Sequence, residues 1–275
     1  MLETVGLDAE VARAAAGWAA AGDASVGRVT RVDRGVVTVL TEAGLRRCSI
    51  GGGLLNRMAQ PAGEGVCTGD WCLLREWPDH RTTLERVLPR RTALIGPGAG
   101  EHGRVLCANV DIVALVLGTQ PRPVPASIER LLAVVRQSGI RPLVVLTGSQ
   151  LVAEHLAEQP AEDLAAATRD VDVLPVSAGT GAGVAELRAR LEGRLTIALL
   201  GASGHGSSAV ADALVGAEVL STRTPRPDGR AGHPSVRREL VPLPGGGAVV
   251  DMPGVRSVGP GRPRFPALDG ARPRE

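Results

Sequence analysis

At 275 residues the chain is long enough for two domains with separate hydrophobic cores. A formal net charge of +2 gives no overall basic field of the kind that announces a nucleic-acid binder, and one phenylalanine, three tryptophans and no tyrosine leave few rings on which single-stranded bases could stack. The absence of a stretch of about eighteen apolar residues, together with acidic Glu3 and Asp8 near the start, excludes a membrane span and a secretory leader and predicts a soluble, cytoplasmic protein.

Residues 2–21 carry Leu2, Val5, Leu7, Val11, Ala14, Ala15 and Trp18 at helical intervals before Gly22, which predicts one amphipathic N-terminal helix that packs rather than reacts. From Gly27 the texture changes to short β-branched runs at 28–32, 36–40, 46–50, 69–74 and 83–88, separated by Gly, Asp and Pro signals. Five such strands in so short a stretch suggest a small barrel of the OB type. Cys48, Cys67, Cys72 and Cys107 lie here without a C-x-x-C pair, and His102 near Cys107 is the one histidine close enough in sequence to suggest a ligand pair; buried free thiols in a reducing compartment are the expectation.

The run 96–100, Gly-Pro-Gly-Ala-Gly, combines the two strongest breakers of regular structure and marks a domain boundary. Beyond it apolar strands and helices alternate. Strands are predicted at 112–117, 142–146, 171–176 and 195–200, helices at 128–135, 151–167, 184–191 and 207–214, and a hairpin from 240–243 and 248–251 around Pro244-Gly245-Gly246-Gly247. This alternation argues for a mostly parallel, doubly wound α/β sheet. The expected organisation is a helix over 1–24, an OB-like β-barrel over 25–96, a P-loop-type domain over 101–258 and a Pro- and Arg-rich tail over 259–275.

Two motifs carry chemistry. The strand at 195–200 runs into Gly201-Ala202-Ser203-Gly204-His205-Gly206-Ser207-Ser208 and then a helix, the context of a phosphate-binding P-loop, in which backbone N–H groups and the helix N-terminus meet an oxyanion. A Gly-rich strand-to-helix turn that binds nothing is the competing reading. The second motif, Asp251-Met252-Pro253-Gly254, follows a strand and matches the D-x-x-G pattern, whose aspartate holds a magnesium-bound water and whose glycine N–H meets a γ-phosphate.

The order of elements points to a family. The strand that should carry a guanine-reading motif, 142–146, and the loop Val176-Ser177-Ala178 both precede the P-loop, an order permuted from that of ordinary GTP-binding domains and placed after an OB-like barrel. In this the chain resembles the circularly permuted, ribosome small-subunit-dependent GTPase A family. Further stretches match the family: Gly69-Asp70-Trp71, Val87-Leu88-Pro89-Arg90-Arg91, Ala108-Asn109-Val110-Asp111 and the run from Arg238 to Gly247. The resemblance implies an OB-like barrel followed by a circularly permuted P-loop GTPase-type domain, magnesium with GTP or GDP as cofactors, and the small ribosomal subunit or its RNA as partner. Carried over by position, Gly201, Ser203, Gly204, Gly206, Ser207, Ser208, Asp251 and Gly254 would bind nucleotide, with Ser208, Asp251 and Ser235 as magnesium ligands.

Departures from the pattern are as informative. Serine stands at 207 where G-x-x-x-x-G-K-[ST] places a lysine, and although all thirty-one cationic residues are arginine, no arginine substitutes there. Where the family has N-K-x-D the chain reads Thr147-Gly148-Ser149-Gln150, so the base site of Thr147, Gln150, Ser177 and Ala178 is degenerate: a neutral Gln150 amide offers one acceptor where a carboxylate accepts two bonds from guanine. The switch-like segment reads Ala231-Gly232-His233-Pro234-Ser235-Val236-Arg237-Arg238-Glu239, leaving Ser235 as the one hydroxyl and His233 as either the candidate for positioning water or a solvated loop histidine. His205 could contact phosphate or serve the turn. No cysteine follows Cys107, so the zinc-binding C-terminal module of the family is not expected, nor is zinc. Arginines 223, 226, 230, 237 and 238 near the switch-like segment, and 256, 262, 264, 272 and 274 in the tail, suit phosphate contacts or are simply solvated.

The sequence therefore predicts a degenerate GTPase-family protein with weak or absent GTP binding and hydrolysis and a binding or regulatory role. The alternatives are an active GTP hydrolase in small-subunit biogenesis, and a binder of another phosphorylated ligand at 201–208.

Overall fold

The computed structural model describes residues 1–19, 24–60, 65–96, 104–118, 124–148, 166–201, 205–216 and 238–253. A 3-10 turn (Leu2–Val5) and helix α1 (Ala9–Ala19) replace the single N-terminal helix expected from periodicity. The break is local in origin. Gly6 ends the first turn in the left-handed region at φ 91°, and the Asp8 carboxylate accepts the amides of Glu10 and Val11, capping α1.

The five strands expected next are present: β1 (Ala24–Val32), β2 (Val37–Thr41), β3 (Gly44–Ile50), β4 (Trp71–Glu76) and β5 (Thr82–Val87). They close on themselves in the order β1-β2-β3-β5-β4, because the first half of β1 pairs with β4 and its second half with β2. A register shift between Val29 and Arg31 bends β1 so that one strand can serve both neighbours. Val29, Val37, Val39, Cys72, Leu74 and Leu84 fill the barrel, and Leu54 of the short helix α2 (Gly52–Met58) plugs it; that helix was not expected from the sequence.

A two-stranded ribbon, also unexpected, joins β6 (Ala93–Gly96) to β7 (Arg104–Ala108); residues 97–103, which hold most of the breaker-rich run, lie outside the described residues. The doubly wound part follows. Strands β8 (Ile112–Gly118), β9 (Arg141–Thr147), β10 (Val173–Val176), β11 (Thr196–Gly201) and β13 (Ala248–Pro253) are parallel in the order β10-β9-β8-β11-β13, and β12 (Glu239–Pro242) runs antiparallel at the side of β13. Alternate residues of β8 and β11 enter two cores, as a sheet covered on both faces requires. Helix α3 (Pro125–Gln137) covers one face with Ile128, Leu132 and Val135; α4 (Val184–Ala189) and α5 (Ser207–Val215) cover the other with Leu187, Val210, Ala211 and Leu214. The helix expected over 151–167 lies outside the described residues except at 166 and 167. Among the described residues no helix is long and apolar enough to cross a membrane.

Barrel and sheet are welded rather than tethered. β12 pairs with β1 through Arg31 and Glu239, so one run of hydrogen-bonded strands continues from the sheet into the barrel. Behind that seam lies a buried polar joint. Asp70 accepts a bidentate pair from Arg90, at 2.7 and 2.9 Å, and the Cys67 amide at 2.8 Å, while Arg90 also donates to the Gly65 carbonyl at 2.8 Å. Asn109, held at φ 54°, donates to the Gly69 carbonyl and accepts the Arg91 amide. Gly69 itself sits at φ 92°, and a Cβ there would fall on the Ala108 carbonyl, so this crossing of β7 over the approach to β4 admits glycine alone. Arg28 of β1 completes the joint: fully buried 5.1 Å from the Trp71 ring centroid, it donates to the carbonyls of Val5 and Asn109, and burial lowers its pKa to about 10.

Removing one partner of a buried ion pair leaves the other charge uncompensated. The Asp70→Asn variant is expected to lose about 3–5 kcal/mol of unfolding free energy in urea titrations. A loss below about 1 kcal/mol would place the joint among ordinary surface pairs.

Candidate nucleotide-binding site

The carboxyl ends of β8, β9, β10, β11 and β13 share one crest, the edge at which open parallel sheets bind ligands. The P-loop-like segment leaves β11 at Gly201, where a Cβ would crowd the Val116 carbonyl at 3.2 Å, so the loop starts pressed against β8. Ser203 and Gly204 lie outside the described residues. Gly206, at φ 83°, turns the chain into α5, whose first two residues are Ser207 and Ser208. The amides at this helix start have no intrahelical acceptor and carry the positive end of the helix dipole.

Ser208 and Asp251 come together as expected. The Ser208 hydroxyl donates to Asp251 Oδ2 at 2.7 Å, and Asp251 Oδ1 is buried with no hydrogen-bond partner among the described residues. Burial, chiefly, raises the Asp251 pKa, and the neighbouring Asp212 carboxylate adds to it; the hydroxyls of Ser208 and Ser207 and the Met252 amide act in the opposite direction. Ser207, at the lysine position, is buried and turned toward the same carboxylate. Asp212 was not singled out from the sequence. Its position four residues after Ser208 on a helix, which puts both on one face, is the signal that could have found it.

Thr147 lies at the end of β9. It is buried, and its hydroxyl donates to the His205 carbonyl at 2.5 Å, so the threonine braces the strand of the base site against the phosphate loop. The His205 ring is buried beneath that loop with Nδ1 at 3.3 Å from the Val116 carbonyl, and a Cβ on Gly118 would lie 3.5 Å from the ring. The His205 Nε2 is buried with no hydrogen-bond partner among the described residues. Ser177 and Ala178 follow Val176, the register partner of Thr147, and are half-buried. Their loop closes on itself: the Ser177 amide donates to the Ala182 carbonyl and its hydroxyl accepts the Thr180 amide. Gln150, His233, Ser235 and Gly254 lie outside the described residues.

The arrangement can hold a divalent ion at Ser208 and Asp251, since the carboxylate keeps one oxygen free, and can offer amides to an oxyanion at the start of α5. Asp212 is the one charged side chain found to act on Asp251 among the described residues, and it is an acid.

Comparison with known proteins agrees with this crest and barrel. The RsgA GTPase family matches residues 87–260. Small ribosomal subunit biogenesis GTPase RsgA of Streptomyces coelicolor is 38% identical over 264 residues, 94% of this chain and 70% of the relative. The proteins of that name from Streptomyces avermitilis and, as RsgA 2, from Lactiplantibacillus plantarum are 36% and 30% identical, and the chain spans 62% and 66% of their lengths, under two thirds in each case. Two solved structures share the fold: YjeQ from Thermotoga maritima, with a TM-score of 0.61 at 23% identity over 84% of this chain and 75% of that one, and YloQ, a circularly permuted GTPase, with 0.58 at 21% over 86% and 73%. The closed barrel, the permuted strand order and a match over more than half of the sequence together show that this chain belongs to the RsgA GTPase family.

Proposed function

We propose that this chain is a GTPase-family protein of small-subunit biogenesis in which the grip on nucleotide is weakened, so that it acts by binding more than by turnover. The observation that carries the proposal is Ser207. It occupies the lysine position of the P-loop and is buried close to the Asp251 carboxylate, to which it brings a neutral hydroxyl where the family pattern has a cation. Phosphates approaching this crest meet helix amides and the Asp251 carboxylate, without a lysine at position 207. Magnesium, held by Ser208 and Asp251, would neutralise part of the phosphate charge when bound. The lysine supplies the rest in the family pattern, and a charge-assisted hydrogen bond of this kind is worth about 1.5–3 kcal/mol. Gln150 in place of an aspartate removes a second such pair from the base side.

A second reading, an active GTP hydrolase, is favoured by the intact Ser208–Asp251 pair at 2.7 Å, with His233 as the candidate to position water. The small ribosomal subunit, named in the relatives, is the proposed partner in both readings.

Titration of the purified chain with fluorescent GTP, GDP and ATP should give weak binding with little preference for guanine. Micromolar, magnesium-dependent and guanine-selective binding would sink the proposal. The Ser207→Lys variant should restore a cation to the loop and tighten GTP binding by roughly tenfold or more; an unchanged affinity would show that the loop is closed to phosphate for another reason. Co-sedimentation with small subunits is expected at low salt and should weaken steeply as salt rises. Ribosome-stimulated phosphate release that disappears in Asp251→Ala would instead establish the hydrolase.

A further inference from the structure

The crest is joined to the barrel by charge as well as by backbone. Arg31 of β1 lies directly across from Glu239 of β12, and Glu239 directly across from Asp251 of β13, so three ionisable residues stand in one row that runs from barrel to crest. Residues opposed in this way across antiparallel strands share a face of the sheet, with Cβ atoms about 4.5–5.5 Å apart. Their neighbours agree: Val241, two residues after Glu239, and Val249, two before Asp251, pack into the same core. The row is held at both ends. At the barrel end Arg31 Nε donates to the Asp33 carboxylate at 2.8 Å, and the Asp33 amide donates to the Val36 carbonyl in the turn before β2. At the crest the Ser208 hydroxyl donates to Asp251. Between them the Arg238 carbonyl accepts the Thr68 hydroxyl at 3.2 Å and pins the start of β12.

The middle residue decides the balance of the row. Two carboxylates directly opposed on neighbouring strands repel each other. Glu239 sends its carboxylate toward the barrel instead, with Oε1 at 3.9 Å from Arg31 Nη1. The side chains of Arg31 and Glu239 are 23% and 17% exposed, so water and salt screen this pair only in part. Asp251 is the buried side chain that, in the proposed function, gives an oxygen to magnesium beside the phosphates. A glutamate released toward it would add negative charge where phosphate oxygens must come, and like charges at short range lower the affinity for nucleotide.

We infer that Arg31 is a positioning residue of the nucleotide site, acting from the barrel by holding the Glu239 carboxylate away from Asp251. The inference rests on the reading of Ser208 and Asp251 as the pair that faces magnesium and phosphate, and it makes a barrel residue part of that site.

Urea unfolding of the full chain without nucleotide tests the row itself. Glu239→Gln should lower the midpoint in the parent, where it breaks the pair with Arg31, and raise it in Arg31→Gln, where it removes an acid facing Asp251. That rise should vanish once Asp251→Asn is also present, because the repulsion needs both acids. A role of Arg31 in packing alone would leave Glu239→Gln with the same sign in both backgrounds. Titration with fluorescent GDP and magnesium tests the consequence: Arg31→Gln should weaken binding by about two- to fivefold, and adding Glu239→Gln should recover it. If the parent binds no GDP, the nucleotide reading fails on its own terms and the unfolding arm alone decides the inference. Absence of the sign reversal overturns it; so does, where the parent binds GDP, an affinity that Arg31→Gln leaves unchanged or that Glu239→Gln does not recover.

Discussion

The ion pair of Asp70 with Arg90 is the contact on which the rest of the architecture hangs. Neither partner is solvated to any useful extent, so the pair contributes through direction rather than through net attraction: a buried bidentate bridge is tolerated in one geometry only. That geometry sets the start of β4, the path from β5 to β6 and, through Asn109 and Gly69, the crossing of β7 beneath the barrel. Arg28 extends the same logic to the N-terminus by binding the Val5 and Asn109 carbonyls. The stretches that link the chain to its family outside the nucleotide loops, around Asp70, Arg90, Asn109 and Arg238, are the parts of this joint. Their physical role is to fix how a barrel sits on a sheet.

At the crest the buried carboxylate of Asp251 keeps one oxygen, Oδ1, without a hydrogen-bond partner among the described residues. The Asp212 carboxylate adds to the rise in the Asp251 pKa that burial begins, and the groups acting against that rise are two serine hydroxyls and an amide, all neutral. The dipole of α5 contributes only a fraction of a charge. The start of α5 and the brace from Thr147 to His205 hold the described end of the loop against β9, with serine rather than lysine at position 207.

Much of this was legible in the sequence, for reasons that differ by element. The barrel strands and the parallel strands announced themselves through β-branched runs bounded by turn residues, and Ser208 with Asp251 through motif spacing. The ribbon of β6 and β7 was hidden because its first strand is only four residues long and runs straight into glycine and proline. Helix α2 was hidden by a start of three consecutive glycines, which propensity assigns to a loop. The N-terminal helix was overextended because periodicity reads across Gly6 and Asp8 without registering that one ends a turn and the other begins a helix. Thr147 was placed in a degenerate base site by its position in a motif. Only its depth and its bond to the His205 carbonyl reveal a mechanical part, and neither is encoded in spacing.

β12 borders β13, which carries Asp251, on one side and β1 of the barrel on the other, and it begins at Glu239, the last residue of the switch-like segment. With one short strand stitched to both bodies, the barrel cannot swivel against the sheet unless the pairing of Arg31 with Glu239 parts. A load applied to the outer wall of the barrel is therefore delivered to the strand beside the crest, and the molecule answers it as a single lever rather than as two beads on a string.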